Sequence, residues 1–360
     1  MTPVDLSTTV LHAVRRAVDE DALRAPVPAR VRVERTRPGG RGDYACAVAL
    51  QLAGPAALPA RRVAEILRER MAGAPGIGRV EITGPGFLNF TLDASFDAAA
   101  QRALLHRVRQ QGPRYGHGDA LAGDLLQFSH AREVRAAVTA HAVGRLVRAQ
   151  GALVRVSCDE EPDPDWARLG VTVDAHGRPP VPLTEIRPVP AGATAAQLLG
   201  RLGPDATRWG LLRPAGHDRA PLGDELLVQG EANPLFLVRY AHSRTRALGR
   251  GAALLGITVA RDEEVETVEE AAALTLLALL ADHPAVLAAA ARRRAPDRVA
   301  RHLEALAQAF FDFHDAASPL PVGDEKPSAA HRTRLALAEA AGTVLAGGLS
   351  LLGIDAPPHL

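Results

Sequence analysis

A segment from Asn233 to Arg250 combines basic and apolar side chains in a pattern that could bind a polyanion. Asn is a favourable helix N-cap and Pro is favourable at the first helical position, so Asn233 and Pro234 predict a helix that runs to about Arg250. At 100° per residue, four nitrogen-bearing side chains fall within an arc of roughly 80°. They are Arg239, His242, Arg246 and Arg250. We expect this arc to bind phosphate groups.

Another side of this helix is apolar and contains Tyr240, with Arg244 one turn further along. An unpaired charge among apolar side chains is energetically costly, so Arg244 requires a partner. The alternative to a ligand-binding role is a solvated helix face on which Arg244 forms a salt bridge with an acidic residue.

Other kinds of chemistry have little support in the sequence. The 13 histidines form no HxxxH or HxH cluster, so no metal site is predicted. Cys46 and Cys158 lie too far apart in sequence for metal-ligand spacing and are too few for a disulfide framework. There is no phosphate-binding P-loop and no recognisable catalytic triad, so neither P-loop chemistry nor triad catalysis is expected.

Composition indicates an ordinary globular chain of two or three domains, with 360 residues, 47% hydrophobic content and a net charge of +1. Lys326 is the only lysine among 42 basic residues. Arginine binds phosphate bidentately and stacks on bases, although a GC-rich genome would produce the same bias. The N-terminus lacks a signal-peptide pattern and the apolar run from Ala271 to Leu280 is too short to span a bilayer, so we expect a cytoplasmic protein without a membrane partner.

Hydrophobic periodicity predicts three regions that would position these residues. Residues 1–115 have the pattern of a small α+β domain, in which Tyr44 to Leu52 alternates as a strand and strands at 79–83 and 87–92 are joined by Gly84-Pro85-Gly86. Residues 116–200 contain a β-α-β pattern with an arginine-rich helix at about 131–149. Residues 201–360 carry successive helical patterns, which predict a helical bundle.

Both ends of the sequence resemble arginyl-tRNA synthetase, a class I synthetase. The N-terminal match includes Glu-Ile-Thr-Gly-Pro-Gly-Phe-Leu-Asn-Phe at 81–90, and the C-terminal match includes Asn-Pro-Leu-Phe-Leu-Val-Arg-Tyr-Ala-His-Ser-Arg at 233–244. Further matching segments occur in the family's order at 42–45, 63–66, 202–209, 283–286 and 349–357. The resemblance implies that residues 1–115 form an additional domain that binds the tRNA elbow and that residues 201–360 form a DALR-type anticodon-binding domain.

The resemblance also implies roles for individual residues. Phe87 and Asn89 match positions at which the family stacks on and hydrogen-bonds a D-loop base, although both could be plain strand residues. The arc of Arg239, His242, Arg246 and Arg250 would contact phosphates of the anticodon stem. Tyr240 and Arg244 would form a semi-buried pair near the anticodon loop. The helix at 131–149 could touch the acceptor stem or could merely cover the sheet.

The middle of the chain departs from the family. A class I catalytic domain has two Rossmann halves with HIGH-like and KMSKS-like motifs that hold ATP. Here His130 is retained, whereas Ala131, Arg132 and Glu133 occupy the other positions of the first motif. The second motif requires a lysine near the start of the helical domain, and no lysine precedes Lys326. Residues 116–200 are therefore expected to be a reduced β-α-β remnant in which His130 caps or packs.

Three functions are compatible with this pattern. The first is a non-catalytic tRNA-binding protein that binds arginine tRNA as an adaptor or regulator, for example for a tRNA-modifying or aminoacyl-transfer enzyme, without a cofactor. The second is arginine–tRNA ligase activity by descent, which would require ATP. The third is a protein-interaction module that no longer binds RNA.

Overall fold

The computed structural model describes residues 3–36, 41–74, 76–92, 98–177, 183–261 and 264–360. The chain divides into two compact units, Met1–Ala103 and Leu104–Leu360. The predicted domain boundaries at 115 and 200 stay predictions.

The first unit is an α+β fold whose described strands form a four-stranded antiparallel sheet in the order β1-β2-β4-β3. Its elements are α1 (Pro3–Asp19), β1 (Val33–Arg35), β2 (Tyr44–Cys46), α2 (Val48–Ala56), α3 (Ala60–Met71), β3 (Ile77–Thr83) and β4 (Phe87–Leu92). One helix, α4 (Ala98–Gln111), contains the boundary with the second unit.

The core of the first unit lies between the helices and one face of the sheet. In α1, Leu6, Val10 and Val14 recur every four residues and are fully buried, and Leu88 and Phe90 of β4 are fully buried as well. Side chains four residues apart lie on one face of a helix, and side chains two residues apart lie on one face of a sheet.

The expected long strand from Tyr44 to Leu52 is wrong. Strand β2 ends at Cys46, and α2 begins at Val48. Val48 and Leu52 are four residues apart and both are buried, so the apolar pattern satisfies helical periodicity as well as alternation. A short apolar run does not distinguish the two periodicities.

The turn between β3 and β4 depends on Gly86. Its φ of 147° is rarely adopted by other residues, and a Cβ atom there would lie 2.8 Å from the backbone carbon of Ala60. The absence of a side chain lets the hairpin approach α3 closely. The predicted hairpin is confirmed, with Thr83 paired to Phe87 across the turn.

The second unit contains a parallel sheet and a helical bundle. Its sheet comprises β5 (Leu125–His130), β6 (Leu153–Cys158), β7 (Ala175–His176) and β8 (Thr184–Glu185), in the order β7-β6-β5-β8. Helix α5 (Val134–Ala149) connects β5 to its parallel neighbour β6. The predicted β-α-β unit is therefore confirmed.

The described bundle comprises α6 (Ala195–Leu212), α7 (Pro234–Leu254), α8 (Ala271–Arg293), α9 (Asp297–Ala316) and α10 (Ala329–Leu352). These helices confirm the predicted bundle. Helix α6 is interrupted at Gly203, whose φ of 74° and ψ of 175° are not helical. Short 3₁₀ helices occur at Gly112–Arg114, Pro164–Leu169 and Asp224–Leu227.

Two bundle helices, α8 and α10, are long and apolar enough to cross a membrane by length and composition alone. The run from Ala271 to Leu280 was expected to be too short, but the helix that contains it continues to Arg293. Within the most apolar window of each helix, 44% of α8 and 78% of α10 is buried inside the structure. Core helices of a bundle commonly have this composition because they are buried on several sides.

Candidate nucleic-acid interface

The start of α7 is fixed by Asn233. Its Oδ1 atom accepts hydrogen bonds from the backbone N–H groups of Leu235 at 3.0 Å and Phe236 at 3.4 Å. Its Nδ2 atom donates to the carbonyls of Leu226 and Val228, each at 2.9 Å. The predicted N-cap and first-position proline are confirmed, and the helix extends four residues beyond the expected end to Leu254. This cap sets the rotation of every side chain that follows on α7.

Tyr240 lies on an exposed aromatic cluster rather than on a buried helix face. Its ring is 42% exposed and stacks between Phe236 of α7 and Phe311 of α9, at centroid distances of 5.6 and 5.4 Å. The buried face of α7 instead contains Leu235, Val238, Ala241, Thr245 and Leu248. The expected placement of Tyr240 and Arg244 on the apolar side is therefore wrong, because both residues lie at the exposed margin of the contact between α7 and α9.

Arg244 is exposed, and its partner is a histidine. Its Nη2 atom lies 3.3 Å from Nε2 of His314, whose Nδ1 atom lies 3.3 Å from Oδ1 of Asp315. With the ring proton on Nδ1, His314 accepts from Arg244 and donates to Asp315, so the three side chains form a continuous polar chain. Arg244 follows Tyr240 by one helical turn on α7, so this surface presents a cation and a π surface to an unpaired base.

The four residues of the predicted basic arc occupy different environments. Arg239 forms an ion pair with Asp205 at 3.4 Å. His242 is 6% exposed, and its Nδ1 atom lies 3.1 Å from the carbonyl of Pro357; burial lowers the pKa of this imidazole, which favours its neutral form. Arg246 and Arg250 are exposed. The cationic part of the arc that solvent reaches is therefore reduced to two residues.

These two arginines lie at a groove between α7 and α10. The groove has a volume of about 570 Å³ and includes Arg246, Arg250, Glu339 and Gly342 in its lining. A Cβ atom on Gly342 would collide with the Thr245 side chain, so glycine permits the close approach of the two helices. Arg250 donates to the carbonyl of Pro358 at 3.2 Å, whereas Arg246 forms no hydrogen bond or ion pair with the described residues.

In the first unit, Phe87 and Asn89 differ in accessibility. Phe87 begins β4 and is 39% exposed, so its ring is available for stacking. Asn89 is 6% exposed, and its Nδ2 atom donates to Oγ1 of Thr83 at 2.6 Å. The amide expected to bind a base edge is therefore engaged across the hairpin, whereas the expected aromatic surface is present.

His130 is a packing residue at the end of β5. It is fully buried, its Nδ1 atom lies 2.9 Å from the carbonyl of Ala131, and its ring is 5.7 Å from the ring of Trp166. Its Nε2 atom has no hydrogen-bond partner among the described residues. Burial lowers the pKa of His130 and favours the neutral imidazole. A buried neutral ring cannot offer a charge to an external phosphate.

Glu133 occupies the N-terminus of α5 with its own carboxylate. One oxygen, Oε2, accepts from the backbone N–H of Ala136 at 2.8 Å, and the other, Oε1, accepts from the N–H of Ala191 at 2.8 Å. Helix N-termini attract anions through their free N–H groups and dipole. Here the anion is intramolecular, and it also connects α5 to the segment that precedes α6. The residues present therefore do not fit the phosphates of ATP at this helix end.

Two basic residues of the helix at 131–149, Arg135 and His141, have structural roles. Arg135 is fully buried and donates to five backbone carbonyls at 2.6 to 3.3 Å. His141 is 8% exposed, and its Nδ1 atom accepts from Nη2 of the buried Arg208 at 3.3 Å. Arg208 also donates to the carbonyls of Leu352 and Leu169. These contacts favour the expectation of a covering helix over that of an RNA-binding one for Arg135 and His141.

Sequence reasoning missed Phe311 and His314, which complete the aromatic and polar cluster around Tyr240. Both lie on α9, and their separation of three residues does place them on one helix face. Nothing in the sequence indicated that this face would meet α7. The contact between Glu133 and Ala191 was missed for the same reason, since 58 residues separate the two partners.

Two protein-family models match the chain. The model of the arginyl tRNA synthetase N terminal domain matches residues 5–92, and the model of the DALR anticodon binding domain matches residues 238–360. The second match contains Tyr240, Arg244, Phe311 and His314.

Similar curated proteins are arginine–tRNA ligases. The one from Renibacterium salmoninarum is 27% identical over 560 aligned positions, and the one from Frankia alni is 28% identical over 556 positions. Each alignment covers 100% of both proteins. Since this chain has only 360 residues, about 200 of the 560 positions hold no residue of this chain. Both ends match family models, so most of this deficit is internal.

Solved structures with a similar fold include the arginyl-tRNA synthetase of Thermus thermophilus, with a TM-score of 0.68 and 14% identity over 100% of both chains. The arginyl-tRNA synthetase of Plasmodium falciparum has a TM-score of 0.70 and 10% identity over 99% of both chains. At these identities the likeness concerns the fold.

Proposed function

The chain belongs to the arginyl-tRNA synthetase family and contains its DALR anticodon-binding domain, and from this premise we propose that it is a non-catalytic protein that binds arginine tRNA. It would act as an adaptor or regulator that presents the tRNA to a modifying or aminoacyl-transfer enzyme. The proposal has two parts, loss of the ligase reaction and retention of RNA binding, and each has its own support.

The observation that carries the first part is the double hydrogen bond of Glu133. The carboxylate caps α5 and holds the N–H of Ala191 at 2.8 Å, so it fills the position at which a helix N-terminus would attract phosphate. Two negative groups cannot share this position without strong repulsion.

The lysine content supports the same conclusion. A lysine near the start of the helical domain is required by the family's second motif, and the only lysine of this chain is Lys326. Lys326 lies in the segment between α9 and α10, far along the chain from the β-α-β unit. Arginine does not simply replace a catalytic lysine, because its charge is delocalised over a planar fork.

Support for RNA binding comes from the surface of α7. The stacked rings of Phe236, Tyr240 and Phe311 lie next to the polar chain that begins at Arg244. This arrangement suits an unstacked base of an RNA loop, because such bases are bound by aromatic stacking and by cationic groups. Arg246 supplies an exposed charge on the same helix for a phosphate contact.

The test separates binding from catalysis. Purified chain should shift an arginine tRNA transcript in a gel at physiological salt, more strongly than a non-cognate tRNA, with log Kd depending linearly on log salt. The same preparation should attach no radiolabelled arginine to that transcript in the presence of ATP. Equal binding of all tRNAs, or a flat salt dependence, would contradict the proposed partner.

The alternative is arginine–tRNA ligase activity, which is favoured by the names of the curated relatives. Radiolabelled arginyl-tRNA above the level of a no-enzyme control would establish it and would refute the first part of the proposal. A third possibility, a protein partner without RNA, predicts a pull-down from lysate that is unchanged by ribonuclease treatment.

A further inference from the structure

A second concentration of arginine occurs in the second unit, at the end of α9 opposite to the aromatic cluster. It lines a cavity of about 640 Å³ formed by the start of α5, the segment after α6 and the junction of α8 with α9. Among the described residues, six arginines line the cavity, against two carboxylates, Asp218 and Asp297. They are Arg135, Arg187, Arg293, Arg294, Arg298 and Arg301.

The innermost of these arginines gives the cavity a fixed positive charge. Arg135 is fully buried, and all five of its hydrogen bonds go to backbone carbonyls of residues 189 to 218. Carbonyl oxygens satisfy its N–H groups but do not neutralise its charge. The field of this guanidinium therefore extends into the cavity, where low-dielectric walls strengthen it.

The arginines at the rim of the cavity differ in whether they have an intramolecular partner. Arg187 is paired with Glu185, Arg301 is paired with Asp297 at 3.0 Å, and Arg294 lies 5.3 Å from the centre of the Phe128 ring. Arg293 and Arg298 are exposed and form no hydrogen bond or ion pair with the described residues. Two guanidinium groups are thus available for an external anion.

The cavity is separate from the α7 surface. Asp297 and Phe311 are 14 residues apart on α9, which corresponds to about 21 Å along the axis. The midpoint of Arg298 and Arg301 also lies roughly 140° around the helix from the midpoint of Phe311 and His314. The cavity and the α7 surface therefore lie at different ends and on different sides of α9.

The size and shape of the cavity restrict its ligand. A volume of this order accommodates a small molecule or a few nucleotides, but not a nucleic-acid duplex. Arginine provides bidentate hydrogen bonds to phosphate and a flat surface on which a base can stack. A flexible strand with successive phosphates satisfies both properties, and charged grooves of this kind bind single strands without base-pair recognition.

We propose that this cavity binds the phosphodiester backbone of a single-stranded RNA segment. The inference rests on the proposed RNA-binding function and adds a second RNA contact to it. Arg293 and Arg298 would make this contact at the cavity that Arg135 also lines. An RNA with both a structured stem-loop and a single-stranded end would then contact the unit at two places.

The test measures the affinity of the full chain for a short fluorescein-labelled oligouridine by fluorescence anisotropy, and for arginine tRNA by gel shift. The double variant Arg293→Gln with Arg298→Gln should bind the oligouridine roughly tenfold more weakly. Its slope of log Kd against log salt should fall by about 1.4, because each single-strand phosphate contact contributes about 0.7. The variant should retain tRNA binding through α7, with reduced affinity.

The matched control is Arg107→Gln with Arg155→Gln, which removes two exposed charges from the same unit outside the cavity. Equal loss of oligouridine binding in both double variants would overturn the inference, since the effect would then come from net charge. Equal competition by polyglutamate would overturn it as well, because the cavity would then favour any acidic chain. Circular dichroism of both variants checks that folding is unchanged.

The outcome for tRNA distinguishes this inference from the proposed function. If wild-type chain binds arginine tRNA and both double variants bind the oligouridine normally, only the inference fails. If wild-type chain binds neither RNA, the proposed function fails and the inference fails with it.

Discussion

Glu133→Ala should destabilise the second unit, because the Glu133 carboxylate satisfies two backbone N–H groups from segments far apart in sequence. The bond to Ala136 is an N-terminal helix cap, whose loss costs about 1 kcal/mol. The bond to Ala191 is a charge-assisted contact in a partly buried position, which contributes about 1.5 kcal/mol more. We therefore expect the free energy of unfolding to fall by about 2.5 kcal/mol.

Urea denaturation followed by circular dichroism would measure this change. Glu133→Gln keeps an acceptor oxygen but loses the charge, so its loss should be below about 1 kcal/mol. Glu231→Ala removes an exposed carboxylate just before α7 and serves as the control, with an effect within about 0.5 kcal/mol. A loss of less than about 0.5 kcal/mol in Glu133→Ala would refute the view that this carboxylate holds the two segments together.

Three further predictions concern the RNA surface, the acid stability and the hairpin. Tyr240→Ala should weaken tRNA binding by about 1 to 3 kcal/mol in a gel-shift titration, because it removes a stacking surface. An unchanged Kd would show that the aromatic cluster does not contact the tRNA. Burial, followed by the charge of Arg208, lowers the pKa of His141 to about 4. The unfolded chain therefore takes up a proton near pH 6.5, whereas the folded chain takes it up only near pH 4. Up to roughly 3 kcal/mol of folding free energy should be lost as the pH falls from 6.5 to 4. His141→Asn should flatten this pH profile of unfolding, and an identical profile would refute the assignment. Gly86→Ala should destabilise the first unit by about 1 to 3 kcal/mol in thermal unfolding, because its Cβ atom would meet the backbone of Ala60; a neutral effect would show that the hairpin can move.

The middle of the chain connects these observations to the family. The curated relatives align along their whole length, yet about 200 of 560 positions have no counterpart here. In this chain the region contains a β-α-β unit. Glu133 caps the N-terminus of its helix, and His130 is buried against Trp166. Under the proposed function, this remnant serves as a structural base for the helical bundle.

The bundle and the N-terminal hairpin could be predicted from sequence because their signals are local. Asn233 and Pro234 determine where α7 begins, and a left-handed turn needs the glycines of Gly84-Pro85-Gly86 wherever the rest of the chain lies. Apolar residues at helical spacing similarly predicted the successive helices of residues 201–360. Each of these features depends on neighbours within a few residues, so the sequence by itself determines them.

Tertiary structure alone decided which face of α7 is exposed and which arginines are available. Arg239 faces Asp205, His242 faces Pro357, and Tyr240 meets Phe311. A helical projection gives the angle between side chains but not the direction of the neighbouring helices, because that direction depends on how all the helices fill the core together. Arg135 and Arg293 illustrate the same point, since both are simply basic residues in the sequence. Packing buries Arg135 among backbone carbonyls and leaves Arg293 exposed to solvent.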